Sequence, residues 1–274
     1  MTKSVYNSAF YSAYEGDSIG SARAVLAIVN NLLSPKSVVD VGCGIGTWLK
    51  VWRDLGLVNI KGIDGDYVSR KDLLIPADQF SPMDLTSPMN PGSSYDLVQS
   101  LEVAEHLPQD SAERFVTFLC SLGPVVLFSA AVPYQGGTDH INEQWPEYWA
   151  ELFAKQGYVT VDAIRDEVWD DPKVAYYYAQ NSLLFVKADT IDRLNPAIKQ
   201  YVVAPSKALS RVHPRRWQES YEKPLKLEDL IKMIPKSTAD FTSRSFRKLG
   251  TWLGLSRSTS SRAKILTESR QTND

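Results

Sequence analysis

The sequence has few cysteines and no long apolar run. Its two cysteines, Cys43 and Cys120, are too few for a disulfide framework or a cysteine-rich zinc site. No stretch approaches the roughly 18 uninterrupted apolar residues that a membrane-spanning helix needs. Residues 1–7 are polar and lack the apolar core of a secretion signal. We therefore expect a reduced, cytoplasmic protein.

The composition is that of a globular chain, with 43% apolar, 23% charged and 11% aromatic residues. The charges are divided unevenly along the chain. Residues 1–188 carry 13 Lys and Arg against 23 Asp and Glu, whereas residues 189–274 carry 17 against 9. Phosphate contacts need dense Lys and Arg, so no nucleic-acid partner is expected for the acidic first part. The asymmetry predicts two parts with different roles.

Alternating strand and helix patterns fill residues 1–188. Short apolar or β-branched runs predict strands at 37–41, 58–64, 95–101, 124–130, 158–164 and 181–187. Apolar residues spaced three and four apart predict helices around them, including one over 18–33 that Asp17 or Ser18 would cap. The alternation predicts an α/β fold: a doubly wound, mostly parallel, Rossmann-like sheet with helices on both faces. The N-terminal aromatics Tyr6, Phe10, Tyr11 and Tyr14 would form a helical lid or pack the first helix.

Residues 189–274 form a basic, proline-rich extension in which repeated prolines forbid long regular elements. Its last part, residues 256–274, is rich in Ser, Thr and Arg and is predicted to be disordered. We expect the domain to end at residue 188, so a chain ending at Ala188 should fold. His213, in the extension, is expected to be solvated. Residues 244–255 combine an apolar face with Arg and Lys, and protein packing is favoured over membrane contact there.

A glycine-rich turn joins the first strand of the domain to a helix. The segment runs from Asp40 through Gly42, Gly44 and Gly46, and Asp64 ends the next strand. Glycines let a ligand approach the backbone closely, and a helix N-terminus offers free N–H groups. A carboxylate after the second strand can accept both hydroxyls of a ribose. These residues predict a site for a nucleotide-like ligand at the carboxyl end of the sheet.

The spacing G-x-G-x-G after an acid differs from the G-x-G-x-x-G of dinucleotide enzymes and resembles motif I of the class I S-adenosylmethionine-dependent methyltransferases. The resemblance covers residues 37–187 and includes the fourth-strand segment from Tyr95 to His106. It implies S-adenosyl-L-methionine as cofactor, with the glycines under its methionine part and Asp64 on its ribose. It also implies that Met83-Asp84-Leu85 forms the adenine edge, with Asp84 at the amino group and Glu102 at the methionine end. The acids Asp40 and Asp64 suit a cationic sulfonium.

The acceptor side in this family follows the fourth and fifth strands, which is residues 133–145 here. This polar loop is similar to a segment of bacterial methyltransferases from glycan or secondary-metabolite pathways. His140 is the first candidate for a general base, because an imidazole titrates near neutrality. Alternatively, His140 only holds the loop in place. His106 is the second candidate, and its alternative role is to cap the turn before Pro108.

Four further residues are predicted to bind the acceptor, and no metal site is expected. Three lie on the acceptor loop, and the fourth belongs to an aromatic and amide cluster that could equally be a satellite core: Asn142, Glu143, Trp145 and Tyr177. Asp139, His140 and Glu143 could bind Mg²⁺, but no dense carboxylate cluster supports that reading.

The favoured function is methyl transfer to a hydroxyl oxygen of a small-molecule or glycan-like acceptor. N-methylation of a secondary metabolite is the first alternative, and a non-catalytic cofactor-binding partner protein is the second. RNA methylation is disfavoured by the acidic first part. No pattern predicts the oligomeric state.

Overall fold

The computed structural model describes residues 8–89, 92–204 and 208–222, with side chains for residues 18–89, 92–204 and 208–218. Met1–Ser220 forms one compact unit, and Tyr221–Asp274 forms a second unit that lies almost wholly outside the described residues. None of the described helices is long and apolar enough to cross a membrane. The predictions of an N-terminal aromatic lid and of a basic, apolar segment at 244–255 depend on side chains that lie outside the described ones.

A seven-stranded sheet, counted over the described residues, organises the first unit in the order β3-β2-β1-β4-β5-β7-β6. The strands are β1 Val38–Val41, β2 Ile60–Asp64, β3 Phe80–Pro82, β4 Leu97–Leu101, β5 Val125–Ser129, β6 Tyr158–Val161 and β7 Leu183–Lys187. Pairing is parallel from β3 to β5, and β7 is antiparallel to both β5 and β6. The predicted mostly parallel, Rossmann-like sheet is confirmed.

Helices cover both faces of this sheet. They are α1 Ser8–Leu33, α2 Thr47–Asp54, α3 Ala112–Leu122, α4 Pro146–Lys155, α5 Arg165–Val168, α6 Tyr176–Asn181 and α7 Pro214–Glu222. Successive strand residues point to opposite faces, so Val38 enters the apolar cluster under α1 and α2 while Val39 enters the cluster under α3 and α4. Burial on both faces explains why the strands read as continuous apolar runs rather than alternating ones.

Three local predictions differ from the structure. Helix α1 begins at Ser8 rather than at the predicted Asp17 or Ser18 cap. The short edge strand β3 was not predicted, since its three residues include Pro82 and only Phe80 is buried. At the start of α3, Asp110 and Glu113 have the spacing of a capping box, but the N-cap residue is Ser111 and it makes no side-chain cap bond.

The compact unit continues beyond the predicted boundary at residue 188. Ile198 is completely buried, and the main-chain N–H of Val203 donates to the carbonyl of Thr160 beside β6. Further along, Arg165 is 1% exposed and donates from Nη1 to the carbonyl of Leu209 at 2.7 Å. His213 is 3% exposed, so the expectation that it is solvated is wrong: its Nε2 lies 2.7 Å from the carbonyl oxygen of Trp169.

Candidate active site

The glycine turn between β1 and α2 has the conformation that only glycine adopts readily. Gly42, Gly44 and Gly46 have φ angles of 83°, 53° and 87°. A Cβ atom at Gly42 would lie 2.3 Å from Cγ2 of Val103, so the turn also requires a missing side chain. Helix α2 starts at the next residue, Thr47, and directs its free N–H groups toward the turn. The backbone is therefore shaped for close approach of a ligand.

Asp64 ends β2 beside this turn and binds it directly. Its Oδ2 accepts a hydrogen bond of 2.6 Å from the N–H of Gly44. Its Oδ1 accepts bonds from the N–H of Gly65 at 2.6 Å and from the hydroxyl of Tyr67 at 2.5 Å. Burial raises the pKa of Asp64 above its usual range, while these donors oppose that rise. The carboxylate sits where the predicted ribose would be held.

Asp40 is a second buried acid, in β1 next to the end of β2. It is 4% exposed, and burial raises its pKa to about 7. A hydrogen bond from Gln99 lowers this pKa, whereas the charge of Asp64 raises it. Two neighbouring acids favour a positively charged ligand in this place, because such a ligand would offset their repulsion.

The predicted adenine edge follows β3. Asp84 is exposed, and its Oδ1 accepts hydrogen bonds from the N–H and the hydroxyl of Thr86 at 2.9 and 2.8 Å, which lower its pKa. Leu85, the next residue, is 8% exposed and packs in the core under α3 and α4. The segment is attached to the site because the N–H of Met83 donates to the carbonyl of Asp64 at 2.8 Å.

Glu102 follows β4 in a strained conformation, with φ at 54°. Its N–H is held by the carbonyl and the hydroxyl of Ser129 at 3.0 and 3.1 Å. Its carboxylate accepts hydrogen bonds from Gln135 at 3.0 Å and from Asn181 at 3.1 Å. Sequence reasoning placed Asn181 in an aromatic cluster and gave Gln135 no role. Their long separation along the chain, 79 residues between Glu102 and Asn181, left no local signal.

The two candidate histidines lie together. The rings of His106 and His140 are 4.8 Å apart between centroids and nearly perpendicular, at 81°. The main chain causes this proximity, because the N–H groups of Ile141 and Asn142 donate to the carbonyl of Glu105 at 2.9 and 3.0 Å. One ligating side-chain atom from each of Glu105, His106 and His140 lies within 4.8 Å of the others. Sequence reasoning missed Glu105 in this group.

Glu143 orients His140. Nδ1 of the ring lies 3.0 Å from Oε1 of Glu143, and the His140 side chain is 12% exposed. Glu143 is itself held by the N–H groups of Tyr134 and Gly136, each at 2.7 Å. A carboxylate on Nδ1 favours the tautomer with its proton there, which leaves Nε2 as the basic atom.

The other predicted acceptor residues have different surroundings. Asn142 is 3% exposed and ties the loop to the turn after β4, its Nδ2 donating to the carbonyl of Ala104 and its Oδ1 accepting from Gln144. Trp145 is 39% exposed at the start of α4. Tyr177 is half-buried and packs against the core under α1 and α2, with its ring 4.7 Å from that of Tyr178.

A family model described as a methyltransferase domain matches residues 20–170, which contain both the glycine turn and the histidine pair. This chain belongs to the methyltransferase domain family. It is a class I S-adenosylmethionine-dependent methyltransferase, and the predicted family, enzyme class and cofactor are confirmed. Comparison with curated protein sequences gave no match.

Solved structures with a similar fold include other methyltransferases. A putative O-methyltransferase from Nostoc punctiforme is 14% identical, with a TM-score of 0.49, covering 65% of this methyltransferase and 59% of that chain. The methyltransferase domain of a bacterial CtHen1 is 22% identical, with a TM-score of 0.45, covering 62% and 97%. Human N-acetylserotonin methyltransferase is 16% identical, with a TM-score of 0.45, covering 66% and 59%. At these identities the likeness concerns the fold alone.

Proposed function

We propose that this methyltransferase transfers the methyl group of S-adenosylmethionine to a hydroxyl oxygen of a small-molecule or glycan-like acceptor. The observation that carries the proposal is the His140–Glu143 pair beside His106. An alcohol must lose its proton during methylation, whereas a neutral amine can attack before it loses one. Imidazoles held beside carboxylates supply a proton acceptor, which is why we favour oxygen over nitrogen.

In the proposed reaction the acceptor oxygen attacks the methyl carbon in line with the sulfur. The new oxygen–carbon bond forms as the carbon–sulfur bond breaks, and the electron pair of that bond stays on sulfur to give neutral S-adenosylhomocysteine. The hydroxyl proton is transferred to Nε2 of His140. His106, whose ring lies beside that of His140, is the second candidate to accept it. Alignment of oxygen, methyl and sulfur contributes alongside proton removal.

The cofactor residues take the following roles in this proposal. Asp64 binds the ribose, and Asp84 meets the adenine amino group while Leu85 packs against the base. The turn of Gly42, Gly44 and Gly46 lies under the methionine part. Asp40 and Glu102 supply negative charge near the sulfonium and the amino group.

The acceptor residues support the same assignment. Trp145 is open enough to cover a sugar ring or a planar metabolite. Glu143 acts through His140, and Asn142 holds the loop in place. We retain Tyr177 as an acceptor residue because part of its side chain remains accessible.

The test is an assay of the full chain with S-adenosylmethionine and paired acceptors. Each pair would share one skeleton, a phenol, an alicyclic diol or a hexose, and differ only in carrying a hydroxyl or an amine at the reacting position. S-adenosylhomocysteine formation and the mass of the product identify the methylated atom. The proposal expects methyl ethers. Methylation of the amines with no reaction of the matched alcohols would contradict it and favour N-methylation.

A further inference from the structure

Three metal-ligating side chains meet beside the end of β4. Glu105 and His106 come from one turn, His140 comes from the loop after β5, and one ligating atom of each lies within 4.8 Å of the others. We infer that Glu105, His106 and His140 bind a divalent transition-metal ion. The inference deepens the proposed function and rests on it only for the catalytic role of the ion.

The strongest sign of a missing cation is Glu105. Its side chain is 0% exposed, and neither carboxylate oxygen makes a hydrogen bond of ordinary geometry with the described residues, although the main chain of Ala131 and the carboxyl of Glu102 lie beside it. A buried carboxylate without partners is costly, so such groups are normally paired or bound to metal. A bound cation would supply a partner for the Glu105 carboxylate.

The histidines are arranged as metal ligands usually are. Metal-binding imidazoles commonly donate their second ring N–H to a carboxylate or a main-chain carbonyl. Nδ1 of His140 lies 3.0 Å from Oε1 of Glu143, and Nδ1 of His106 lies 3.4 Å from the carbonyl oxygen of Asp139.

The ligand set selects the kind of ion. Two imidazoles and one carboxylate suit Zn²⁺, Mn²⁺, Fe²⁺ and Co²⁺, whereas Mg²⁺ and Ca²⁺ prefer sites made of oxygen alone. In the sequence, no metal site was expected because the only candidate ligands weighed were Asp139, His140 and Glu143, which are close together along the chain. The structure instead joins His140 to Glu105, through the main-chain bonds that Ile141 and Asn142 make to the Glu105 carbonyl.

An ion in this place would change how the acceptor loses its proton. A hydroxyl bound to a divalent ion ionises at lower pH, so its proton can leave to water before the oxygen attacks the methyl carbon. His140 would then hold the ion rather than take the proton itself. The bond changes at the methyl group remain those of the proposed reaction, and S-adenosylhomocysteine still leaves as the neutral thioether.

Metal binding can be measured without acceptor or cofactor. Chelator-treated full chain would be titrated by calorimetry with Zn²⁺, Mn²⁺ and Co²⁺, and the Co²⁺ complex would also be followed by its visible absorption. We expect one ion per chain. Glu105→Gln and His106→Asn should each weaken binding by more than the roughly 10–100-fold that loss of an outer partner costs, and Glu143→Gln should weaken it within that range. Glu113→Gln, at an exposed carboxylate on α3, is the matched control and should bind normally.

Two outcomes would overturn the inference. One is a wild-type chain that binds none of the three ions, and the other is binding that survives both Glu105→Gln and His106→Asn. Circular dichroism of each variant separates loss of the site from loss of the fold, and His140→Asn provides a third ligand variant. Failure of the proposed methylation would leave metal binding intact, so the two proposals fail independently.

Discussion

The N–H of Gly44 donates a hydrogen bond of 2.6 Å to Oδ2 of Asp64. This bond links the glycine turn after β1 to the end of β2, so the two halves of the proposed cofactor site are positioned together. The other oxygen of Asp64 accepts from the hydroxyl of Tyr67, whose side chain is 48% exposed. In the proposed site, a ribose hydroxyl that binds Asp64 would take the place of the Tyr67 hydroxyl, while the Gly44 bond is kept.

Replacing Asp64 tests the ribose assignment. Asp64→Ala should weaken S-adenosylmethionine binding by about 1.5–3 kcal/mol, because charge-assisted hydrogen bonds are lost and the turn is released. Calorimetric titration measures the change. Asp66→Ala, at an exposed acid two residues away, is the control and should bind as the wild type does. Equal affinities for all three proteins would remove Asp64 from the cofactor site.

Asp40 should make stability depend on pH. Burial raises its pKa from 3.8 to about 7, so the folded chain holds this proton over a range in which the unfolded chain has released it. The free energy of unfolding should therefore fall as the pH rises from about 4 to about 7. Asp40→Asn removes this contribution, and its urea-unfolding curves should be less dependent on pH over that range. Parallel pH dependences would show that Asp40 is ionised in the folded chain throughout.

The segment after residue 188 should stabilise the domain. A chain ending at Ala188 loses the buried side chain of Ile198, which alone contributes about 2 kcal/mol, and leaves Arg165 without the carbonyl of Leu209. A chain ending at Glu222 keeps both. We expect the shorter chain to be insoluble or to unfold at a clearly lower temperature than the longer chain. Equal melting temperatures would support the boundary predicted at residue 188.

Contiguous features of this protein could be predicted from its sequence, and features assembled by tertiary contacts could not. The glycine turn and Asp64 were predictable because a strand, three glycines, a helix and an acid follow one another in fixed order. The joining of Glu105 to His140 depends on two main-chain bonds to one carbonyl, which leave no trace in residue spacing. The burial of His213 was also missed. A proline-rich composition indicates that long helices and strands are absent, but it does not indicate which side chains pack against the domain.

Gly137 should determine the position of His140. A Cβ atom at Gly137 would lie 2.2 Å from Nε2 and 2.4 Å from Cε1 of His140, so Gly137→Ala must displace the ring. Because displacements of about 1 Å at a reacting group cost up to about 10²-fold in rate, turnover should fall substantially. Cofactor affinity, measured by calorimetry, should stay unchanged and serves as the control. Normal turnover would show that the ring has room to move without consequence.

His140 itself is the most direct test of how the acceptor is activated. His140→Ala should lower turnover by about 10²–10⁴-fold and leave cofactor affinity nearly intact, whether the ring takes the proton or holds the inferred ion. Glu143→Gln keeps the imidazole but weakens its orientation, so its loss should be smaller. Methyl transfer across pH, with and without added Mn²⁺, measures both variants against the wild type. Near-normal turnover of His140→Ala with an unchanged pH profile would exclude His140 and leave His106 as the residue that acts on the hydroxyl.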